Sequence, residues 1–252
     1  MILLTWALII SPYESISAQA AANSNDGFPI PPHRSVHEVL RNGSKIGEVH
    51  SELSRDEHGV WFFETETIAT SRLAKMLRLS AEESAHFMWQ EGHILPLTYR
   101  QINRAPLNTR YWQHQLDWSE GVSQAQTYEG ELEIELESEI LDPLTLRLQT
   151  AALLHLPEST DDVLEFRVLE RDQIENQRME RLGQEMLESK LGCFATQRWY
   201  RFRREGSSRN YRMWVAEALH WMPVRIDLSD DDDAISLRLV ETSLTLPDTG
   251  CN

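Results

Sequence analysis

The sequence predicts a mainly β (α+β) fold: a single large curved antiparallel sheet, or incomplete barrel, covered by one or two helices. Three observations predict it. Short segments of alternating apolar and polar residues recur along most of the chain, with Gly, Asn, Asp and Pro between them. Within residues 131–137, Leu132, Ile134 and Leu136 point one way and Glu131, Glu133, Glu135 and Glu137 the other, one face for a core and one for water. Residues 141–154 break this rhythm. Asp142 suits an N-cap, Pro143 the first helical turn and Pro157 the stop, while Leu144, Leu148, Ala151 and Ala152 form one stripe. Each Leu buried there contributes about 1.5–3 kcal/mol, so the helix needs an apolar surface, and the strands provide it.

Taken in order, the chain opens with an almost wholly apolar run over residues 1–10, followed by Ser17-Ala18-Gln19-Ala20-Ala21-Ala22. Apolar core, then small residues, is the grammar of a cleaved secretory signal over residues 1–22, though no Lys or Arg precedes the core. Residues 23–35, with Pro29, Pro31 and Pro32, read as a flexible leader, and His33 and His37 as an exposed pair. Residues 36–40 and 45–53 flank Asn42-Gly43, a strong hairpin signal. Residues 61–67 alternate, with Trp61, Phe63, Thr65 and Thr67 on one face, and residues 70–79 suggest a short helix. Strands follow at 85–91, 97–103, 110–118 and 131–137. Beyond the helix come strands at 163–170 and then 174–187, the latter read as two strands turning at Gly183. Two hairpins follow, 194–204 with 210–216 and 224–228 with 235–242. No linker or repeat divides the chain, so residues 36–246 make a single domain and 247–252 a tail.

The composition bounds partners more than chemistry. The chain has 252 residues, 41% hydrophobic and 25% charged, enough apolar mass for a sizeable core. Its 24 Lys+Arg against 40 Asp+Glu leave a net charge of -16, which argues against nucleic acid or an anionic membrane surface as partner. Cys193 and Cys251 permit one disulfide, and spacing does not decide whether they pair.

No motif specifies a reaction. The run Asp230-Asp231-Asp232-Asp233 lacks the spaced ligands, Gly and Glu of a calcium loop and reads as a solvated hairpin tip. The nine histidines include no metal-binding pair of His-Glu-x-x-His type. Ser84 beside Glu82, Glu83 and His86 resembles a triad only on paper, because a strand sends neighbours to opposite faces. Arg198, Arg201, Arg203 and Arg204, interleaved with Trp199, Tyr200 and Phe202, suggest cross-strand pairing with the Glu-rich strand 131–137 rather than a nucleic-acid platform. What remains is aromatic content on strands, which lines either a packed core or an apolar cavity.

Several pieces in order look familiar together. They are Asn42-Gly43 with Ile46-Gly47-Glu48, Glu83-Ser84 with Gly92 and Pro96-x-x-Tyr99, Asp117-Trp118, Leu141-Asp142-Pro143-Leu144-Thr145, Leu191-Gly192, Trp214, and Leu219-x-x-x-Pro223-Val224-Arg225-Ile226. Over about residues 36–242 the chain resembles the bacterial family known as domain of unknown function 3108 (DUF3108). That resemblance implies an exported Gram-negative envelope protein, similar in fold to LolA/LolB-type lipoprotein carriers, with no catalytic residues to transfer. The expected function is therefore a non-enzymatic periplasmic binder of a lipid or other amphiphile in a sheet cavity, with no cofactor and no metal. The candidate lining is Trp61, Phe63, Trp89, Tyr99, Trp112, Leu144, Leu148, Trp199 and Trp214. The alternative is a cell-envelope assembly or protein-interaction module, and a hydrolase ranks behind both.

Overall fold

A computed structural model describes residues 27–70, 80–156, 161–202, 210–229 and 234–246. In chain order the strands are β1 (His33–Arg41), β2 (Ser44–Arg55), β3 (Trp61–Ala69), β4 (Ser80–Gln90), β5 (His93–Ala105), β6 (Asn108–Asp117), β7 (Val122–Thr127) and β8 (Gly130–Glu135). A two-residue β9 (Ile140–Leu141) leads into the helix α1 (Pro143–Leu154). The second series is β10 (Val163–Glu170), β11 (Gln173–Ser189), β12 (Gly192–Phe202), β13 (Asn210–Ala216), β14 (Met222–Ser229) and β15 (Ala234–Thr242), with a 3₁₀ turn at Glu217–Leu219.

All fifteen strands form one sheet in the order β8-β7-β6-β5-β4-β3-β2-β1-β15-β14-β13-β12-β11-β10-β9. Nearly every strand pairs with its sequence neighbour, as short turns dictate. Asn42 and Gly43 at φ 48° and 81° make the left-handed turn between β1 and β2, and Glu91 and Gly92 at 52° and 86° make the one between β4 and β5. Gly47 has a different reason: a Cβ there would stand 2.8 Å from the Ile68 carbonyl oxygen. First and last strands meet in the middle, β1 against β15, so the free edges are β8 and β9. Side chains draw those ends together. Leu116, Leu136, Ile140 and Leu169 form one buried cluster with Ile134 and Ile174 against it, so an apolar seam joins the regions flanking the two edges.

The helix lies inside this curl. Asp142 accepts from the Leu144 and Thr145 amides at 2.9 Å, and its own backbone N–H donates in return to Thr145 Oγ1 at 2.9 Å, a complete capping box. The expected stripe is buried, and so are Leu146, Gln149, Thr150 and Leu154. The helix is thus enclosed on nearly all sides rather than laid across a sheet. Leu144 and Leu148 pack with Leu53, Phe63, Phe87 and Tyr99, while Leu154 joins Met179, Trp199 and Met213.

Several expectations need correction. Residues 174–187 belong to one long strand, β11, because a bulge between Arg181 and Gly183 absorbs the glycine without a turn. The strand carrying Arg198 and Arg201 pairs with β11 and β13, not with β8, since sequence-neighbour pairing outweighs distant charge matching. Part of the leader is core: Phe28 is 9% exposed and Ile30 0%, held by aromatic rings, and residues 33–35 already belong to β1. His33 and His37 are buried on the inner face of β1. Strand β7, whose Ser, Gln and Thr gave no apolar alternation, was not foreseen. The expected helix at 70–79 lies almost wholly outside the described residues, as do residues 1–22, the 205–208 and 230–233 turns and the tail.

Candidate functional site

Strands β2 to β5 send alternate residues inward, and successive rows of that inner wall differ in kind. One row runs Leu53, Phe63, Ala85 and Tyr99 across the register, all buried against the helix. Two residues along the strands, the row is Ser51, Thr65, Glu83 and Gln101, each half-buried. The helix covers the first row and leaves the second half-buried.

The apolar row is extended at one end by rings. Phe28 meets Trp61, Phe87 and Trp89 edge-on, with centroids 4.9, 5.6 and 5.1 Å away. Gln149 ties the helix to the β4–β5 turn, accepting from the Ile94 amide at 2.7 Å and donating to the Gly92 carbonyl at 3.3 Å.

The polar row gathers ionisable groups. Arg147 projects from the helix into the interior, where burial works against its charge. The fields of Tyr211, Glu83, Tyr99 and Asp142 outweigh that penalty and leave its pKa raised. Its buried Nε has no hydrogen-bond partner among the described residues. Glu83 accepts from Gln101 Nε2 at 2.9 Å through one oxygen, while the other is buried and unpartnered, as is the Tyr99 hydroxyl. Burial pushes the Tyr99 phenol well above its usual range, helped by the charges of Glu83 and Asp142. Burial also lifts the Asp142 carboxyl to about 6, against the pull of its capping hydrogen bonds. His37, donating Nε2–H to the Pro223 carbonyl at 2.9 Å, is brought down to about 4 by burial.

A second feature lies at the mouth beside the 3₁₀ turn. A cleft of about 750 Å³ opens there, lined by Met186, Ala195, Ala218 and Trp221 with Gln184, Gln197 and Glu217. Trp221 also packs against both of the larger core clusters. His220 and Trp221 hold φ of 54° and 60°, an unfavourable left-handed pair for residues with side chains. Two further grooves lie on the outer wall and are polar. One of about 530 Å³ over β6–β8 is lined by Gln113, Gln115, Gln124 and Gln126, and one of about 570 Å³ over β1–β5 by Glu52, Glu64, Glu66 and Glu82.

Of the residues expected to line a ligand cavity, Trp61, Phe63, Tyr99, Leu144 and Leu148 come together in one cluster, with Trp89 packed on it. They fill the space between helix and wall. Trp112 stands apart, edge-on to Tyr128 at 5.3 Å and beneath the Arg171 guanidinium at 4.8 Å. Trp199 belongs to the second cluster. Trp214 faces outward, covered by Arg225 at 4.6 Å, and donates its indole N–H to Glu185. Sequence reasoning missed Arg147, Phe28 and Met186. Arg147 did carry a signal: it sits in a Leu-rich helix with no acid three or four residues away to pair with it.

Ser84 and His86 lie on the outer face with Glu82, opposite Glu83; there Glu82 pairs with Arg104 and His86 with the Thr98 hydroxyl at 2.9 Å. No group of His, Cys, Asp or Glu among the described residues is arranged to hold a metal ion. No helix among them is long and apolar enough to cross a membrane.

This architecture defines a β-barrel-like protein, an open antiparallel sheet curled around one described helix. It is similar to the crystal structure of a beta-barrel-like protein of domain of unknown function DUF1849 from Brucella abortus, with a TM-score of 0.59, 8% sequence identity, and 87% of this chain and 100% of that one covered. At that identity the likeness concerns the fold alone. No protein-family model matches the chain, and no curated protein is similar to it.

Proposed function

We propose that the protein is an exported, non-enzymatic binder of an amphiphile, and that the apolar part of its ligand lies in the cleft at Met186, Ala195 and Trp221. The cleft is the observation that carries this reading. Its lining is mainly apolar, Met186 is 65% exposed, and a left-handed backbone pair holds the Trp221 ring in place. Exposed Met and Trp around a concavity suit an acyl chain, Met adapting its shape and Trp supplying area. Backbone strain persists where a side chain's position matters. The aromatic cluster under Phe28 adds a neighbouring apolar surface. The apolar run over residues 1–10 followed by small residues, the grammar of a secretory signal, supports export to the periplasm. So does Cys193, which is disulfide-bonded, as suits an oxidising compartment; the chain's other cysteine, Cys251, lies outside the described residues.

The test is purification from a periplasmic fraction, mass spectrometry of extracted lipid, and titration with a fluorescent fatty acid. Saturable binding that weakens about tenfold in Met186→Glu and in Trp221→Ala is expected, the loss of one well-packed apolar contact. An absence of both bound lipid and saturation removes the reading. The alternative, an envelope assembly module, is favoured by the Glu-lined outer groove over β1–β5, which suits a basic partner. Crosslinking in cells separates the two: a stoichiometric protein partner without lipid selects the module.

A further inference from the structure

The polar row beneath the helix contains more hydrogen-bonding capacity than its neighbours use. Asp142 is fully engaged by the capping box. Gln101 is committed to one oxygen of Glu83. That leaves Arg147 Nε, Glu83 Oε2 and the Tyr99 hydroxyl buried and unpartnered among the described residues. Arg147 forms no hydrogen bond or ion pair with any described residue, although Glu83 lies close enough for its charge to act on it. Both side chains are half-buried, each with one buried polar atom left without a partner, and proteins keep such atoms where something polar meets them.

The inventory of these atoms restricts what can meet them. Arg147 offers only donors, Glu83 only acceptors, and Tyr99 either. A simple anion suits Arg147 and is repelled by Glu83. A simple cation has the opposite difficulty. A molecule with both charges a few bonds apart satisfies the two together. The half-buried Ser51, Thr65 and Gln101 on the same wall provide polar surroundings in reach of solvent.

We propose that the interior beneath the helix is a binding site for a small zwitterion. Its carboxylate or phosphate end meets Arg147, its ammonium end meets Glu83, and the Tyr99 hydroxyl is a third contact. The site is separate from the cleft at Trp221 and does not depend on the amphiphile reading. The same chemistry occurs free, as in phosphoethanolamine, or as the head group of a phospholipid.

The experiment is calorimetric titration of the full chain with phosphoethanolamine, inorganic phosphate, ethanolamine and dihexanoyl phosphatidylethanolamine below its micelle concentration. Saturable binding of phosphoethanolamine is expected, with phosphate and ethanolamine each about tenfold weaker or more, the range for losing one charge-assisted contact. Arg147→Gln weakens phosphoethanolamine by a similar factor, and Glu83→Gln abolishes the preference for phosphoethanolamine over phosphate. Tyr99→Phe, which removes only the hydroxyl, weakens binding severalfold. Should a charge variant fail to fold, the Arg147 Nε–H resonance of the wild-type protein supplies the readout and shifts on titration with phosphoethanolamine. No binding of either zwitterion, or binding unaltered in the variants with an unmoved Arg147 resonance, overturns the proposal. Tighter binding of the short-chain lipid than of phosphoethanolamine identifies a head-group site; equal binding identifies a free solute. Fatty-acid binding that survives Arg147→Gln while phosphoethanolamine fails would leave the cleft reading standing and remove this one.

Discussion

Two adjacent rows of one wall differ in kind. Leu53, Phe63, Ala85 and Tyr99 are sealed by the helix, whereas Ser51, Thr65, Glu83 and Gln101, two residues further along the same strands, are polar and half-buried. The first row has the packing of a core, with Leu144 and Leu148 at 0% exposure against it. The second holds Glu83 Oε2, buried and without a hydrogen-bond partner among the described residues, and the Tyr99 hydroxyl at the end of the first row shares that state. The difference teaches that the helix serves the two rows differently: its leucines fasten the barrel, and its arginine reaches past them.

The comparison is broken most forcefully from the apolar side. Leu148→Ala is expected to cost about 2–5 kcal/mol by transfer and cavity terms, whereas Thr65→Ala stays within about 0.5 kcal/mol. Denaturant midpoints at constant slope measure both, and equal losses would erase the distinction. Next comes pH. His37 titrates at about 4 in the fold against an ordinary 6.5, so its stabilising contribution is complete above 6.5 and is lost as pH falls through 4. His33 and His155, also lowered by burial, act in the same direction. Asp142, raised from 3.8 to about 6, acts oppositely and loses its contribution as pH rises between those values. His37→Gln is therefore expected to remove roughly 3 kcal/mol of the decline between pH 7 and pH 4, measured by urea unfolding.

A smaller effect tests the fastening between helix and wall. Gln149→Leu leaves the Ile94 amide buried without its acceptor, costing about 1–3 kcal/mol and exposing that amide to faster hydrogen exchange. The smallest effect sharpens the contrast from the polar side. Arg147→Met is expected to leave stability within about 1 kcal/mol of wild type or to raise it, because an unpaired buried charge gives way to an apolar chain of similar length. A large loss of stability there would show that Arg147 is a structural member like the leucines.

Much of the fold was legible because its causes are local. Asn42-Gly43 made its hairpin, Asp142 and Thr145 made their cap, and the alternation in residues 163–170 and 210–216 gave strands with those same ends. The site was less legible. Trp214 has the composition of a cavity residue and faces outward, since a bulge between Trp214 and Val215 and the pairing of β13 set its side of the sheet. Glu83 looked like a neighbour of Ser84 until alternation placed the two on opposite walls.

The sequence by itself determined the single antiparallel meander, the helix with its cap and leucine stripe, and the acidic surface, since periodicity, turn residues and charge act over a few positions. Only the tertiary structure decided that β1 joins β15, that Phe28 and Ile30 belong to the core, that His33 and His37 are buried, and that Arg147 lies within the fields of Tyr211, Glu83 and Tyr99. Those outcomes depend on which distant segments share a side of the curl, and burial of a charge is a property of everything around it rather than of the residues beside it in the chain.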